Sequence, residues 1–240
     1  MSGEPFSHER PCPTTGGYPP QSAASDLRGI LAAGGGVPGQ DLGARRAAET
    51  RALEAWADRI GWLDASYYLT PAREGGLEHR IWLDDAGGRV IKVTLPSRTG
   101  RTVRLVQPPP ESRELHRLVR LADATPLEYL DRLALHNEAF GDDVRVLGVV
   151  RDSLGRSSIV ISQAFLKGTR PRESDVLHFM QAAGFRQLAA EPAFFRASDR
   201  VAAFDAHTAN FVRTSGETVP FDVITFHVDS EMARTLESFL

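Results

Sequence analysis

The sequence has very little cysteine, no long apolar run and no excess of one charge. Its single cysteine, Cys12, cannot form an internal disulfide, which excludes a small disulfide-held scaffold and indicates a reducing compartment. No run approaches the ~18–20 apolar residues that a membrane-spanning helix needs. The first residues also lack the charged-then-apolar pattern of a secretory signal. We therefore expect a cytoplasmic protein without a membrane partner.

The charges are nearly balanced. There are 28 Lys and Arg against 31 Asp and Glu, a formal net charge of −3, so no broad electrostatic feature favours nucleic-acid binding. The apolar fraction of 42% and the charged fraction of 25% are typical of a globular protein. A chain of 240 residues fits one compact domain or two small ones.

Glycine and proline are concentrated at the start of the chain. Residues 1–40 contain 8 of the 21 Gly and 6 of the 15 Pro, and such a segment buries too little apolar surface to offset the cost of ordering it. We expect a disordered tail over 1–40, with at most one helical turn around Leu27, Ile30 and Leu31. A docking peptide is the alternative.

The remaining chain alternates between helical and strand patterns. Thr125, Pro126 and Glu128 form a helix-start signature, and Gly141 is the expected end of that helix. Residues 84–88 supply turn chemistry between two alternating runs, which predicts a β-hairpin. The pattern further predicts helices over 42–63, 111–122 and 172–183 and from about 230, a hairpin over 78–95, and strands over 144–150 and 158–163.

Three polar side chains follow short apolar strands late in the chain. Asp205 ends one strand, Asn210 follows five residues later, and Asp222 comes after a hairpin, 12 residues beyond Asn210. A loop followed by a hairpin brings these groups toward one point. Two carboxylates and an amide suit phosphoryl transfer, because one carboxylate can orient a hydroxyl while the other groups hold a divalent metal.

This spacing resembles that of the protein kinase-like superfamily. The segment Asp205-Ala-His207-Thr-Ala-Asn210 is similar to the Asp-x-His-x-x-Asn loop of aminoglycoside and choline phosphotransferases. The wider pattern, from about Gly75 to Asp222, most resembles the small kinase-like domains of polyvalent proteins from phages and mobile elements. Its motifs are a Glu-His strand start, a Val-Ile-Lys strand, an Asn-x-x-Phe helix end, a Ser-Gln strand end and the Asp-Ala-His loop.

The resemblance implies an ATP- and Mg²⁺-dependent site. Lys92 and Asp205 are then the catalytic residues, with Lys92 also contacting the nucleotide phosphates and Asp205 accepting the hydroxyl proton. Asn210 and Asp222 are the implied metal ligands. The partners are a nucleotide and an unidentified hydroxyl acceptor, either a protein or a small molecule.

The family lysine normally pairs with a helix glutamate. Glu128 fits that layout best, although helix capping also explains it; Glu138 lies on the same helix, and Asn137 is a rival on its apolar side. Gly75 and Gly76 occupy the place of a phosphate-covering loop without the family's glycine pattern.

Two further residues are expected at the nucleotide. Gln163 ends a strand where backbone groups would meet adenine, or is an ordinary strand end. His207 contacts phosphate or holds the loop, or is a structural histidine.

We therefore expect an α+β fold of the reduced bilobal, kinase-like kind. Residues 41–163 form a helix and an N-lobe with an antiparallel sheet, and 164–240 form a truncated helical C-lobe with the catalytic and metal-binding loops.

Ala203 and Phe204 replace the His-Arg pair that precedes the catalytic Asp in protein kinases, and Val-Ile follows Asp222 instead of Phe-Gly. A catalytically weak nucleotide-binding pseudokinase is thus the alternative function. A metal-dependent hydrolase that uses Asp205, His207, Asp222 and His227 is the third.

Overall fold

A computed structural model describes residues 16–35, 41–60, 78–84, 88–105, 119–189 and 191–240. These ranges contain five α-helices and twelve β-strands, and every strand pair is antiparallel, so the predicted α+β class is confirmed. The helices are α1 (Pro20–Ala33), α2 (Leu42–Arg59), α3 (Pro126–Phe140), α4 (Glu173–Ala182) and α5 (Ser230–Glu237).

The strands form two four-stranded sheets and two two-stranded sheets. In chain order they are β1 (His79–Asp84), β2 (Arg89–Thr94), β3 (Arg101–Leu105), β4 (Val119–Asp123), β5 (Arg145–Arg151), β6 (Ser157–Ala164), β7 (Arg186–Gln187), β8 (Phe194–Arg196), β9 (Val201–Phe204), β10 (Phe211–Thr214), β11 (Glu217–Pro220) and β12 (Ile224–His227).

The first sheet has the order β1-β2-β6-β5 and contains the predicted hairpin. Its central strands are rich in Val and Ile, which favour a buried pleated surface. Lys92 lies in the middle of β2, opposite Ile81 on β1 and Ile161 on β6. The lysine is therefore on a central strand, and the alternative of a surface lysine on an edge strand is wrong.

Helix α3 crosses between this sheet and the later part of the chain. The Thr125 hydroxyl accepts from the Glu128 amide while the Glu128 carboxylate accepts from the Thr125 amide, so the predicted capping box is present. Gly141 ends the helix in a left-handed conformation, with φ +68°. Tyr129 and Leu130 are buried in the core that α3 shares with α1, α2, β5 and β6.

The prediction of a disordered tail is wrong for residues 20–33, which form helix α1. Tyr18 forms an isolated β-bridge with Val146, and Ala23, Ala24 and Leu27 are fully buried against the α3 core. The Tyr18 hydroxyl and the Trp56 indole both donate to Asp26. These tertiary contacts supply the burial that local composition did not reveal.

The second sheet has the order β12-β9-β8-β7 and carries the later loops. A short 3₁₀-helix (Thr208–Asn210) follows β9 and leads into the β10-β11 hairpin. Val119–Asp123 is strand β4, paired with β3, and not the end of the helix predicted over 111–122. Residues 106–118 lie outside the described ranges, and the domain boundaries stay a prediction.

Two apolar clusters flank the second sheet. One contains Phe195, Ile224 and Leu236, and the other contains Phe185, Phe194 and Phe211. None of the helices in the described ranges has the length and apolarity to cross a bilayer.

Candidate functional site

The structure brings Lys92 and Asp222 together from opposite halves of the chain. The Nζ atom of Lys92 donates to the carbonyl oxygen of Phe221 at 3.2 Å and lies 3.7 Å from Oδ1 of Asp222. Strand β2 fixes the lysine, and the β10-β11 hairpin fixes the turn that carries Asp222. Only 8% of the Lys92 side chain is exposed, against 33% for Asp222, so the carboxylate is the group that faces solvent.

Asp222 is an ionised carboxylate held by cations. Burial raises its pKa, but Lys92 and Arg132 outweigh this effect, with smaller contributions from His79 and His136, and the pKa falls to about 2. Nη2 of Arg132 lies 3.5 Å from the same oxygen, Oδ1, that faces Lys92.

The loop that joins β9 to β10 gathers the other predicted residues. Asp205 has φ +57°, a left-handed backbone that is uncommon outside glycine and best tolerated by Asn and Asp. Nδ2 of the buried Asn210 donates to the Asp205 carbonyl oxygen at 2.7 Å and to its Oδ2 at 3.0 Å. Nε2 of the half-exposed His207 lies 3.3 Å from Oδ1 of Asp205. Asn210 and His207 thus hold the Asp205 carboxylate from two sides.

A backbone hydrogen bond links this loop to the turn at Asp222. The Phe221 amide donates to the carbonyl oxygen of Asn210 at 3.0 Å, directly after the Phe211–Pro220 pair of the hairpin. Asn210 and Asp222 therefore lie on neighbouring segments. Their side chains offer an amide oxygen and a carboxylate oxygen, which are donors that Mg²⁺ prefers, so these residues fit the implied metal.

The carboxylate beside Lys92 is that of Asp222 and not that of Glu128. Glu128 pairs with Arg45 and with Arg104, at 2.6 Å from the latter, and caps its own helix. The capping explanation for Glu128 thus has direct structural support, and its expected place at the lysine is not observed.

The two rivals on α3 do not contact Lys92 either. Asn137 exchanges two hydrogen bonds of 2.9 Å with the backbone of Val144, which joins α3 to β5. Glu138 is exposed and lines a cavity on the other side of α3.

The residue that α3 contributes to this site is Arg132, which sequence reasoning missed. Its side chain is only 5% exposed, and Nη1 lies 2.6 Å from Oε1 of Glu78, at the start of β1. The same nitrogen donates to the carbonyl oxygen of Arg101 at 3.1 Å. A charged residue within an apolar helix stripe was the available signal, but its partners lie far away in the sequence.

His79 and Tyr129 form a buried polar pair beside these charges. His79 Nε2 and the Tyr129 hydroxyl are 2.7 Å apart. Burial lowers the pKa of His79 to about 4, although Asp222 and Glu78 act in the opposite direction. Burial likewise raises the pKa of Tyr129 well above its ordinary value. Both side chains are therefore neutral at pH 7. The Glu-His strand start noted in the sequence was the signal for His79 but not for Tyr129.

Gln163 is buried at the end of β6, and its side chain is already used. Its amide donates to Asp142, which His136 also contacts at 3.1 Å. Pairing of β6 with β2 continues to Ala164, whereas pairing with β5 ends at Ser162. The backbone groups of residues 163–164 that face the β5 side lie beyond the pairing with β5, and they are thus the groups of β6 that could contact a ligand.

Two cavities border the site. The one between Lys92, Gln163 and Asp222 measures only about 20 Å³, whereas pockets for small ligands usually measure about 300–1,000 Å³. A second cavity of about 500 Å³ lies beside the Asp205 loop and is lined by Arg170, His207 and Thr208. The Arg170 Nε donates to the Thr208 hydroxyl at 2.7 Å.

The four residues of the hydrolase hypothesis do not gather in one place. Asp205 and His207 pair with each other, but His227 lines the cavity beyond α3. In the described ranges, the only group of three His, Cys, Asp or Glu side chains at metal-ligand separation is Glu78, His79 and Asp222. This grouping disfavours the hydrolase.

Comparisons with known proteins bear on the second half of the chain. Residues 116–228 match the model of a family described as a serine/threonine/tyrosine kinase found in polyvalent proteins. The match spans just under half of the chain and contains Gln163, Asp205, Asn210 and Asp222, but not Lys92. No curated protein and no solved structure matches the chain.

The matched segment therefore begins later than the resemblance noted from about Gly75. Gly75 and Gly76 lie outside the residues that the structure describes. Over residues 116–228, however, the matching family is the one that the motifs resemble. Residues 116–228 are thus similar to the kinase domain found in polyvalent proteins.

Proposed function

We propose that this protein is an ATP- and Mg²⁺-dependent phosphotransferase that acts on a hydroxyl group. The observation that carries the proposal is the approach of Lys92 to Asp222 across the two halves of the chain, at 3.7 Å. A lysine and a carboxylate so arranged can meet the phosphates and the metal of one nucleotide. The family match over 116–228 supports the same chemistry.

Each residue has a defined part in the proposed reaction. Lys92 orients the phosphates, while Asn210 and Asp222 hold Mg²⁺, which when bound neutralises phosphate charge. Asp205 accepts the proton of the acceptor hydroxyl while the oxygen of that hydroxyl forms a bond to the γ-phosphorus. The bond from that phosphorus to the β–γ bridging oxygen breaks, and ADP leaves.

A space that could admit the acceptor hydroxyl lies beside the Asp205 loop. The cavity of about 500 Å³ is bordered by Ala206, His207 and Thr208, and His207 contacts the Asp205 carboxylate. This space is large enough for a side chain or a small molecule. We propose that His207 holds Asp205 in the direction of that space.

A nucleotide-binding pseudokinase is the second candidate. The cavity of about 20 Å³ at Lys92 does not admit a nucleotide, and Asp222 is already paired with two cations. Binding therefore requires β2 and the Asp222 turn to move apart. If that movement also carries the Asp205 loop out of reach of the γ-phosphate, the protein would bind nucleotide without efficient transfer.

Turnover separates the two candidates. The protein is incubated with Mg²⁺ and γ-labelled ATP, and ADP release and label incorporation are followed for the wild type and Asp205→Ala. An active phosphotransferase releases ADP in a Mg²⁺-dependent reaction that the substitution abolishes. Binding of ATP without any Asp205-dependent release favours the pseudokinase, and absence of both binding and release contradicts both candidates.

A further inference from the structure

Arg132 occupies the centre of a group of side chains that could otherwise hold a metal. One ligand atom from each of Glu78, His79 and Asp222 lies within 4.8 Å of the others. Arg132 approaches both carboxylates of this group, with Nη1 2.6 Å from Glu78 and Nη2 3.5 Å from Asp222. The guanidinium therefore bridges the two acids that a divalent cation would bridge.

The charges of this cluster balance without a metal. Glu78 and Asp222 supply two negative charges, Arg132 and Lys92 supply two positive charges, and His79 is neutral. Adding a divalent cation would leave two uncompensated positive charges among side chains that are mostly buried, which is unfavourable. The cluster without a metal thus has no net charge.

The two cations of Asp222 differ in how easily they can leave. Arg132 is fixed at three points, by Glu78, by the Arg101 carbonyl oxygen and by Asp222. Among the described residues, the Lys92 amine contacts the Phe221 carbonyl oxygen at 3.2 Å and the face of the Phe221 ring besides Asp222, and this flexible amine can turn to a phosphate. A nucleotide would therefore draw Lys92 away and leave Arg132 in place.

We propose that Arg132 is a resident cation that keeps divalent metal out of the Glu78–His79–Asp222 group, so that Asp222 is left to the metal that enters with a nucleotide. The inference rests on the proposed function, because it assigns Asp222 to the nucleotide-bound metal. Arg132 acts through Asp222: its Nη2 lies 3.5 Å from Oδ1 of that carboxylate, and a third of the Asp222 side chain is exposed. Divalent metal is thereby excluded from this group both without and with a nucleotide.

Binding of Mn²⁺ alone tests this inference without any turnover. Wild type, Arg132→Gln and the control Arg28→Gln are titrated with Mn²⁺ by calorimetry and melted in Mn²⁺ or EDTA. Arg28, on α1, is a matched control because it also forms an ion pair with an aspartate, Asp131 on α3, but its side chain is half exposed. We expect one Mn²⁺ to bind Arg132→Gln and raise its Tm by at least roughly 3 °C. Wild type and Arg28→Gln should show no Mn²⁺ binding and equal Tm values in both buffers.

Two further variants keep the result specific. Arg132→Lys retains the charge and should exclude Mn²⁺ as the wild type does. Arg132→Gln combined with His79→Gln removes one ligand and should bind Mn²⁺ at least tenfold more weakly. If Arg132→Gln folds only in the presence of Mn²⁺, the metal has replaced the guanidinium, which also supports the inference.

Three results would overturn it: Mn²⁺ binding to the wild type that His79→Gln removes, absence of binding to folded Arg132→Gln, or failure of this variant to fold in either buffer. A separate titration of the wild type with ADP and Mn²⁺ together tests the proposed function. If the wild type does not bind ADP with Mn²⁺, while Arg132→Gln binds Mn²⁺ alone as expected, the nucleotide site is rejected and the role of Arg132 as a resident cation is still supported.

Discussion

The Nζ atom of Lys92, on β2, lies 3.7 Å from Oδ1 of Asp222, which follows β11. Lys92 also contacts the carbonyl oxygen of Phe221, a residue 129 positions later in the chain. The pair joins the first sheet to the loop region of the second. It requires β2 to be a central strand and the β10-β11 hairpin to return the chain to the sheet.

Replacing Lys92 by Met should weaken Mg²⁺-ATP binding at least tenfold. The substitution removes the cation that we assign to the phosphates and leaves Arg132 as the sole ion-pair partner of Asp222 in the described ranges. Calorimetric titration measures the effect, and Lys167→Met, at an exposed lysine, should bind as the wild type does. Equal affinities for Lys92→Met and the wild type would contradict the assignment.

Asp205→Asn should lower kcat by about 10²–10⁴-fold, the usual contribution of a general base, and change the Kd for ATP less than about twofold. Asn keeps the size of the side chain and tolerates the left-handed backbone at φ +57°. Single-turnover transfer and nucleotide titration measure the two effects. Asp199→Asn, at an exposed turn, is the control; an unchanged kcat in Asp205→Asn would remove this residue from the mechanism.

Acidification from pH 6.5 to about 4 should destabilise the fold through His79. In the unfolded chain this residue takes up a proton near pH 6.5, whereas in the folded protein its pKa is about 4. Protons therefore bind the unfolded state preferentially within this window, and the free energy of unfolding falls by up to about 1.4 kcal/mol per pH unit. The Asp222 ion pairs persist throughout, because its pKa is about 2.

Urea unfolding at several pH values isolates that contribution. His79→Gln cannot titrate and should flatten the slope between about pH 4.5 and 6.5, while His227→Gln, at an exposed position, should keep it. Identical slopes for His79→Gln and the wild type would show that the buried histidine is not the source.

Gly29→Ala should stabilise the protein by roughly 0.5–1 kcal/mol, the ordinary gain for this change inside a helix. Gly29 lies within α1, and a Cβ atom there meets nothing within 4 Å. Thermal unfolding measures the gain. A variant with the stability of the wild type would indicate that residues 20–33 are not helical.

Local patterns predicted much of the fold. Some signals depend on only a few neighbouring residues: the Thr125 capping box, the Gly141 helix terminus and the turn residues 84–88. The structure contains the helix and the hairpin that these signals predict. The fixed spacing of Asp205, Asn210 and Asp222 likewise identified the two late segments that lie together.

Features that depend on distant partners could not be predicted in this way. Helix α1 is ordered by contacts with Trp56 and Val146. Arg132 is buried because Glu78 and Asp222 neutralise it, and neither is near it in the sequence. Glu128 carried the helix-start signal, and the family layout made it the expected partner of Lys92, but Arg45 and Arg104 bind it instead.

The most direct test is a crystal structure of the protein with Mn²⁺ and a non-hydrolysable ATP analogue. We predict anomalous density for Mn²⁺ between Asn210 and Asp222, phosphate oxygens within hydrogen-bond distance of Lys92 Nζ, and a wider opening between β2 and the Asp222 turn. Nucleotide bound away from Lys92, or Mn²⁺ away from Asp222, would contradict the proposed function.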